Sequence, residues 1–151
     1  MQYLEAPIYK HLDKKSLFLA GGITNCPDWQ SYIVENCKEL DIYFLNPRRK
    51  NFPVNNLQEA PIQIEWEYFY LKAADYILFW FPKETLCPIT LFEYGRWTFT
   101  DKKLFVGAHK EYKRKLDIAY QTKLARPEIQ IRDNLKELIL DLHNFFPKKQ
   151  E

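Results

Sequence analysis

Short apolar runs alternate along the chain with stretches in which apolar residues recur at helical spacing. The longest apolar run, at residues 76–81, is long enough for one strand and too short to span a membrane. Because it is apolar on both faces, it is typical of a strand that is covered on both sides, as in a parallel sheet. The other predicted strands are at residues 16–20, 42–45, 104–107 and 128–131.

Helical patterns fill the intervals between these strands. Asp28 is placed to cap the first helix, which we expect to run to residue 38 with Trp29, Ile33 and Cys37 facing inward. A helix that begins at Pro88 is expected because the missing N–H of proline costs nothing at the first helical position. The remaining helices are predicted at residues 61–74, at residues 113–123 and after Asp133, which we expect to be the cap of the last one.

The alternation of five strands and about five helices predicts an α/β fold of the flavodoxin-like type, a three-layer sandwich with a five-stranded parallel sheet. We expect residues 1–151 to form a single domain. In the second helix, the apolar spacing predicts an inward stripe of Ile62, Trp66, Phe69 and Ala73. The first dozen residues and the last four are expected to be loosely held.

Composition narrows the class of function. The 22 basic and 20 acidic side chains leave a net charge of only +2, which argues against general attraction to nucleic acid or to a membrane surface. The three cysteines lack metal-ligand spacing, and His109 has no neighbouring ligand, so no metal site is predicted. The absence of a signal-peptide pattern and the odd cysteine count favour a cytoplasmic protein with reduced thiols.

Several polar features come directly after the predicted strands. Because ligands of open α/β sheets bind at the carboxyl ends of the strands, these features are candidates for one site. Gly21 and Gly22 allow backbone N–H groups to approach a ligand closely, although a tight turn explains them equally well. No dinucleotide fingerprint or P-loop follows them. The candidate features are residues 21–24, residues 46–49, residues 107–109 and the loop 81–88 with the nearby Glu93.

The acidic residues near this edge are the candidates for catalysis. Glu93 lies early in its helix, where a carboxylate can act as a nucleophile or as an acid or base, or can simply interact with the helix dipole. Glu67 is two residues after Glu65, so the two carboxylates point to different faces. Asp75 either takes part in the site or only joins a helix to a strand. Arg48 belongs to a basic turn that is either solvated or able to bind phosphate.

Five sequence segments, taken in order, resemble the nucleoside 2-deoxyribosyltransferase superfamily, and above all its deoxyribosyltransferase-like branch. Their order and spacing carry the likeness, which extends from about residue 16 to residue 142. The segments are Phe18-Leu19-Ala20-Gly21, Asn46-Pro47-Arg48-Arg49, Gln63-Ile64-Glu65-Trp66-Glu67, Ala74-Asp75 and Cys87-Pro88-Ile89-Thr90-Leu91-Phe92-Glu93-Tyr94-Gly95.

The resemblance implies catalysis by three acids, in which Glu93 is the nucleophile, Glu67 holds or protonates the base, and Asp75 matches an acid at the start of a strand. It requires no metal or organic cofactor, and it implies a homo-oligomer that binds a small nucleoside or nucleobase. Many members have a tyrosine at the position of Phe18, and some have a base-contacting aspartate near the position of Cys87. The expected substrate-binding residues are Gly21, Gly22, Ile23, Thr24, Asn46, Arg48 and Trp29.

The resulting prediction is a nucleoside 2-deoxyribosyltransferase, which cleaves the N-glycosidic bond through a covalent glycosyl-glutamate and passes the sugar to another base. One alternative is a hydrolase of nucleosides or nucleoside 5′-monophosphates. A second is a catalytically silent nucleotide-binding module. A flavin carrier is a weaker option, because the first loop lacks a Ser/Thr-rich phosphate cradle.

Overall fold

The computed structural model of the protein describes residues 2–53 and 55–150 and contains six strands and five helices within them. The strands are β1 (Tyr3–Glu5), β2 (Ser16–Gly21), β3 (Tyr43–Asn46), β4 (Tyr76–Phe81), β5 (Lys103–Ala108) and β6 (Ile131–Arg132). The helices are α1 (Trp29–Asn36), α2 (Glu59–Ala73), α3 (Pro88–Thr98), α4 (Lys115–Ala125) and α5 (Leu135–Phe145).

All strands are parallel and form one sheet in the order β1-β3-β2-β4-β5-β6. Without β1, this is the strand order of flavodoxin-like proteins, so the predicted fold class is confirmed. The chain passes from β2 outward to β3 on one side and then returns to β4 on the other side. The carboxyl ends of β2 and β4 therefore border the crevice where open α/β sheets bind ligands.

The sixth strand, β1, lies within the segment that was expected to be loosely held. Tyr3 is in register with Phe44 of β3, and the Ala6 N–H donates to the Asn46 carbonyl at 3.1 Å. A strand of three residues is too short to produce a recognisable period, which is why the sequence pattern did not reveal it. Met1 lies outside the described residues.

The carboxyl-terminal tail is also more ordered than expected. The Lys149 N–H donates to the Glu39 carbonyl at 2.8 Å, and Lys148 forms an isolated antiparallel bridge with Leu40. These contacts tie the tail to the loop that precedes β3. Glu151 lies outside the described residues.

Two apolar layers cover the sheet, one on each face. Ile77, Phe79 and Phe81 of β4 point to the face covered by α2, α3 and α4. Leu78 and Trp80 of the same strand point to the face covered by α1 and α5. The alternation of a strand thus divides one continuous apolar run between two cores.

The buried stripe of α2 differs from the one that the apolar spacing predicted. Ile62 and Phe69 are 42% and 50% exposed, and Ala73 is exposed too, whereas Trp66, Tyr70 and Leu71 are buried. The helix is rotated so that the partly buried Gln63 and Glu67 face the molecule. A pattern that scores only apolar residues as inward cannot detect such a stripe.

The helix starts follow local chemistry. As predicted, Asp28 caps α1 by accepting from the Ser31 N–H at 3.1 Å, and α3 begins at Pro88. The cap of α5 is Asn134, which accepts from the Glu137 N–H at 3.0 Å. Asp133, the predicted cap, forms an ion pair with Lys115 instead.

Candidate active site

A cavity of about 330 Å³ lies at the carboxyl ends of β2 and β4. Its size is in the range of small-molecule sites. Its walls come from β2 and the loop after it, from the loop after β3, from α2, and from the loop before α3 with the first turns of that helix. The lining residues are Phe18, Ala20, Gly21, Gly22, Ile23, Thr24, Pro47, Glu67, Thr85, Cys87, Pro88, Ile89, Thr90 and Glu93.

Glu93 lies in the second turn of α3 and is only 9% exposed. Among residues 2–53 and 55–150, none forms a hydrogen bond with its carboxylate. Burial, together with the nearby negative charge of Glu67, raises the pKa of Glu93 to about 8 against the opposing effect of Arg96. The fold therefore holds a carboxyl group that is ready to exchange a proton near neutral pH.

Glu67 faces the same cavity from α2, whereas its neighbour Glu65 is exposed to solvent. Burial raises the pKa of Glu67, and a hydrogen bond from Gln63 Nε2 to Glu67 Oε1 at 2.8 Å opposes the shift. The structure thus brings Glu67 and Glu93 into one apolar cavity on facing helices.

Two acids in one poorly solvated site titrate as a pair, because ionising both places like charges close together. Such a pair holds one proton across neutral pH, and one acid is then a carboxylate while the other is a proton donor. Glycosidic bond cleavage commonly uses such a pair, one carboxylate and one acid.

The two glycines shape the loop after β2 by close packing. A Cβ at Gly21 would lie 2.4 Å from the Trp80 carbonyl oxygen and 2.5 Å from the Trp29 ring. A Cβ at Gly22 would lie 2.9 Å from Cys87 Sγ. Neither glycine has a positive φ angle. Glycine is needed here because the loop presses against α1 and the loop before α3, and both residues border the cavity.

Trp29, an expected substrate-binding residue, is not among the residues that line the cavity. Its side chain is only 2% exposed and packs beneath the loop, where Nε1 donates to the Gly22 carbonyl at 2.9 Å. Gln30 Nε2 donates to the same carbonyl at 3.3 Å. Trp29 therefore supports a wall of the cavity from behind. Gly21, Gly22, Ile23 and Thr24, the other expected residues of this loop, do line the cavity.

Arg48 and Asn46 are engaged outside the cavity. Arg48 donates to the Ile23 carbonyl, donates to the Cys26 carbonyl at 3.0 Å, and lies 3.3 Å from an oxygen of Asp28. Asn46 is buried, donates to the Tyr3 hydroxyl at 2.9 Å and accepts from the Arg48 N–H at 2.9 Å. Apart from the contact between Arg48 and Asn46 themselves, the partners are about 20 or more residues away in sequence, so a local pattern could not assign these contacts.

Asp75 lies at the opposite edge of the sheet, just before the amino end of β4. Lys15 Nζ lies 2.6 Å from its Oδ1, and the Ser16 N–H donates to Oδ2 at 3.0 Å. Burial alone would raise the pKa of Asp75, but these hydrogen bonds outweigh it and lower the pKa. Asp75 is not among the residues that line the cavity, and its carboxylate is bound at the amino ends of β2 and β4. We therefore do not expect it to contact a ligand bound there.

Three further polar side chains are near the acids. Thr90 is 4% exposed and lies one helical turn before Glu93, Thr85 lines the cavity, and Gln63 bonds to Glu67. The spacing of three between Thr90 and Glu93 was a readable signal for a shared helix face. Cys87 also lines the cavity, but burial raises the pKa of its thiol to about 12, so it remains protonated.

Residues 2–53 and 55–150 contain neither a cluster of metal ligands nor a membrane-spanning helix. No group of three or more His, Cys, Asp or Glu side chains is arranged to hold a metal ion. No helix in the same residues combines the length and the apolar character needed to span a bilayer.

Comparison with known proteins agrees with the position of the cavity. The profile of the family described as "Nucleoside 2-deoxyribosyltransferase like" matches residues 14–112, well over half of the chain. This range begins just before β2, ends just after β5 and contains every residue that lines the cavity. A search of curated proteins gave no match. The chain therefore belongs to the nucleoside 2-deoxyribosyltransferase-like family.

Proposed function

We propose that the protein is a nucleoside 2-deoxyribosyltransferase in which Glu93 is the nucleophile and Glu67 is the general acid. The observation that carries the proposal is the pair of buried acids in one cavity at the carboxyl edge of the sheet. Membership of the family gives the substrate class, a nucleoside.

In the first step, the Glu93 carboxylate forms a bond to C1′ of the sugar while the C1′–N bond to the base breaks. The bonding electron pair moves onto the base nitrogen, which takes the proton of Glu67. The products are a glycosyl ester of Glu93, a carboxylate at Glu67 and a free base.

In the second step, the nitrogen of an incoming base attacks C1′, and Glu67 takes the proton that this nitrogen loses. The ester bond breaks, and both Glu93 as carboxylate and Glu67 as acid are restored. Attack by water in place of the base would give hydrolysis instead of transfer. The cycle starts from the one-proton form in which Glu67 holds the proton, whereas the pKa of Glu93, raised by burial to about 8, favours the other one-proton form in the empty site. The mechanism therefore requires the proton to pass from Glu93 to Glu67 before C1′ is attacked.

The charges around the cavity favour nucleosides over their 5′-monophosphates. Within residues 2–53 and 55–150, the ionisable acids that line it are Glu67 and Glu93, and no basic residue does. A phosphate would be repelled by them unless a cation compensated for its charge. The nearest arginine in sequence to a lining residue, Arg48, is already bound to two carbonyl groups and to Asp28.

We also propose that the protein is a homo-oligomer that associates through an apolar face of α2 and α3. Arg96 lies 4.9 Å from the centre of the Phe92 ring and 5.6 Å from that of Tyr68, and it connects the two helices at the surface. A Cβ at Gly95 on this face would meet no atom, so a second chain is able to approach the helix closely. The exposed apolar residues of this face are Ile64, Tyr68, Ile89, Phe92 and Phe99.

A chromatographic assay of thymidine, with and without adenine, tests the activity. Formation of deoxyadenosine only when adenine is present supports transfer. Free thymine without deoxyadenosine supports the hydrolase, and unchanged thymidine supports the silent binding module. Glu65→Gln is a matched control, because it removes an exposed carboxylate from the same helix as Glu67.

Light scattering at micromolar concentration tests the assembly. We expect a mass above that of one chain and a shift towards the monomer in Phe92→Glu, because a charge on the proposed interface opposes association. A wild-type protein that is monomeric at this concentration contradicts the proposed oligomer but leaves the proposed chemistry intact.

A further inference from the structure

The amide of Gln63 connects the cavity wall to one of the two acids. Gln63 and Glu67 are one helical turn apart on α2. The Gln63 Nε2 group donates to the Pro47 carbonyl at 2.7 Å and to Glu67 Oε1 at 2.8 Å. Pro47 itself lines the cavity.

The Pro47 carbonyl determines which way the Gln63 amide points. A backbone carbonyl can only accept a hydrogen bond, and rotation of the amide by half a turn would place Gln63 Oε1 against it. Two acceptors would then face each other. The amide therefore keeps its Nε2 group towards Glu67 whether Glu67 is protonated or not.

This orientation has a cost elsewhere in the same side chain. Gln63 Oε1 is buried, and no group among residues 2–53 and 55–150 donates to it. Buried polar atoms are usually paired, so an unpaired one marks a position where another requirement prevails. Here that requirement is the donation of Nε2 to two acceptors at once.

From this geometry we infer that Gln63 is a positioning residue, which reserves Glu67 Oε1 as an acceptor and so confines the exchangeable proton of Glu67 to Oε2. An oxygen that already accepts from a fixed N–H group is the poorer place for a proton. The catalytic consequence rests on the proposed function: the proton that reaches the departing base comes from Glu67 Oε2, and Gln63 stabilises the carboxylate that remains.

The surroundings of Glu67 allow this contribution to be isolated. Glu93 on α3 and the Cys87 thiol, in the loop before α3, are the titratable groups that share the cavity with Glu67, and Arg96 acts on Glu93 from the same helix. Phe18 from β2 and Pro47 from the loop after β3 are uncharged. The hydrogen bond from Gln63 is therefore the contact that favours the ionised form of Glu67.

The decisive variant is Gln63→Met, which keeps the length of the side chain and removes the donor. Gln58→Met, at the exposed start of α2, is the matched control. The titration of Glu67 is followed by 13C NMR of its carboxyl carbon, assigned with Glu67→Gln, in the absence of substrate. We expect the midpoint of Glu67 to rise by about one pH unit in Gln63→Met and to stay unchanged in Gln58→Met.

Activity supplies the second measurement. In Gln63→Met, kcat for deoxynucleosides should fall about tenfold, and the basic limb of the kcat/KM profile should move to higher pH in step with the NMR midpoint. A change of fold alone would lower activity without moving that limb. If Gln63→Met does not fold, Gln63→Glu replaces it, because a third acceptor beside Pro47 and Glu67 should raise the midpoint at least as much.

The outcomes separate this inference from the proposed function. An unchanged Glu67 midpoint in folded Gln63→Met overturns the inference, even if Glu93→Gln is inactive. Full turnover by Glu93→Gln overturns the proposed function, whereas a raised Glu67 midpoint would still support the positioning of its proton.

Discussion

A partly or fully buried acid lies at each end of the strands: Asp75 at the amino ends, here called the amino edge, and Glu93 near the carboxyl ends, the carboxyl edge. The fold lowers the pKa of the first acid and raises the pKa of the second. At the amino edge, Asp75 accepts from Lys15 and from the Ser16 N–H, and its pKa is lowered. At the carboxyl edge, the described residues give Glu93 no hydrogen bond, and its pKa rises to about 8. The satisfied acid holds the start of two strands together, whereas the unsatisfied one is available for chemistry.

The largest expected difference between the two edges is in turnover. Glu93→Gln should lower kcat by roughly a thousandfold or more, equivalent to about 4 kcal/mol, because the amide cannot form the glycosyl ester. Asp75→Asn, measured per folded molecule, should remain within about threefold of the wild type, because Asp75 does not line the cavity. Equal losses of kcat in Glu93→Gln and Asp75→Asn, measured by a chromatographic assay of thymidine cleavage, would contradict this expected difference between the two edges.

The second difference is in the dependence of stability on pH. Burial raises the pKa of Glu93 from its ordinary value of 4.5 to about 8 in the folded protein. As the pH rises, the unfolded chain therefore loses this proton at a lower pH than the folded protein does. Glu93 therefore lowers the free energy of unfolding as the pH rises from about 4.5 to 8. Glu93→Gln should gain about 3 kcal/mol more at pH 8.5 than at pH 5.

Urea unfolding at the two pH values measures this gain. Glu65→Gln is the control, since its carboxyl group is exposed to solvent. If Glu93→Gln gains the same free energy of unfolding at both pH values, the pKa of Glu93 is not raised in the folded protein.

The role of Glu67 is expected to be smaller than that of Glu93. Glu67→Gln should lower kcat/KM for thymidine by about a hundredfold, because the departing base then leaves without a positioned proton. The loss should diminish for deoxynucleosides whose bases leave readily as anions. An equal loss for every leaving base would instead indicate that Glu67 acts only in binding.

At the amino edge, the expected effect is on stability alone. Asp75→Ala should lower the free energy of unfolding by about 1–2 kcal/mol, because it leaves the Ser16 N–H without its acceptor. Lys15→Met should cost less, since the Lys15 side chain is 66% exposed and its ion pair is screened. If urea unfolding shows a larger loss in the free energy of unfolding for Lys15→Met than for Asp75→Ala, this account of the amino edge is wrong.

The smallest expected effect concerns the charge of the substrate. With Glu67 and Glu93 as the charged lining residues, kcat/KM for deoxycytidine should exceed that for its 5′-monophosphate. A tenfold preference for the monophosphate, about 1.4 kcal/mol, would reverse the prediction. Loss of that preference in Arg48→Ala would then identify Arg48 as its cause.

Four strands, β2 to β5, and the start of α3 were predictable because their signals are local, whereas the strand predicted at residues 128–131 is β6 at Ile131–Arg132. Residues 76–81 form an unbroken apolar run that is β4, and Pro88 marks a first helical position. The strand β1 was missed because three residues carry no period. The inward stripe of α2 was misassigned because the helix directs Gln63 and Glu67 inward, which a count of apolar positions cannot detect.

The site was predictable only in part. The loop at residues 21–24 and Glu93 follow from the position of the carboxyl ends of the strands, Glu67 follows from the family resemblance, and the structure brings them together in one cavity. Trp29 and Arg48 were expected to contact the substrate, but each is held by carbonyl groups of the loop after β2. Such contacts depend on how the loop folds back on the helix, which spacing along the chain does not encode.

The indole of Trp29 has a practical consequence. Its N–H is bonded to the carbonyl of Gly22, a residue of the cavity wall, so we expect its fluorescence to respond to the contents of the cavity. The unlabelled protein therefore carries an optical reporter that is hydrogen-bonded to the wall of the cavity. A change in emission on adding a nucleoside that is lost in Trp29→Phe and kept in Trp97→Phe would yield dissociation constants for inactive variants, in which turnover reports nothing.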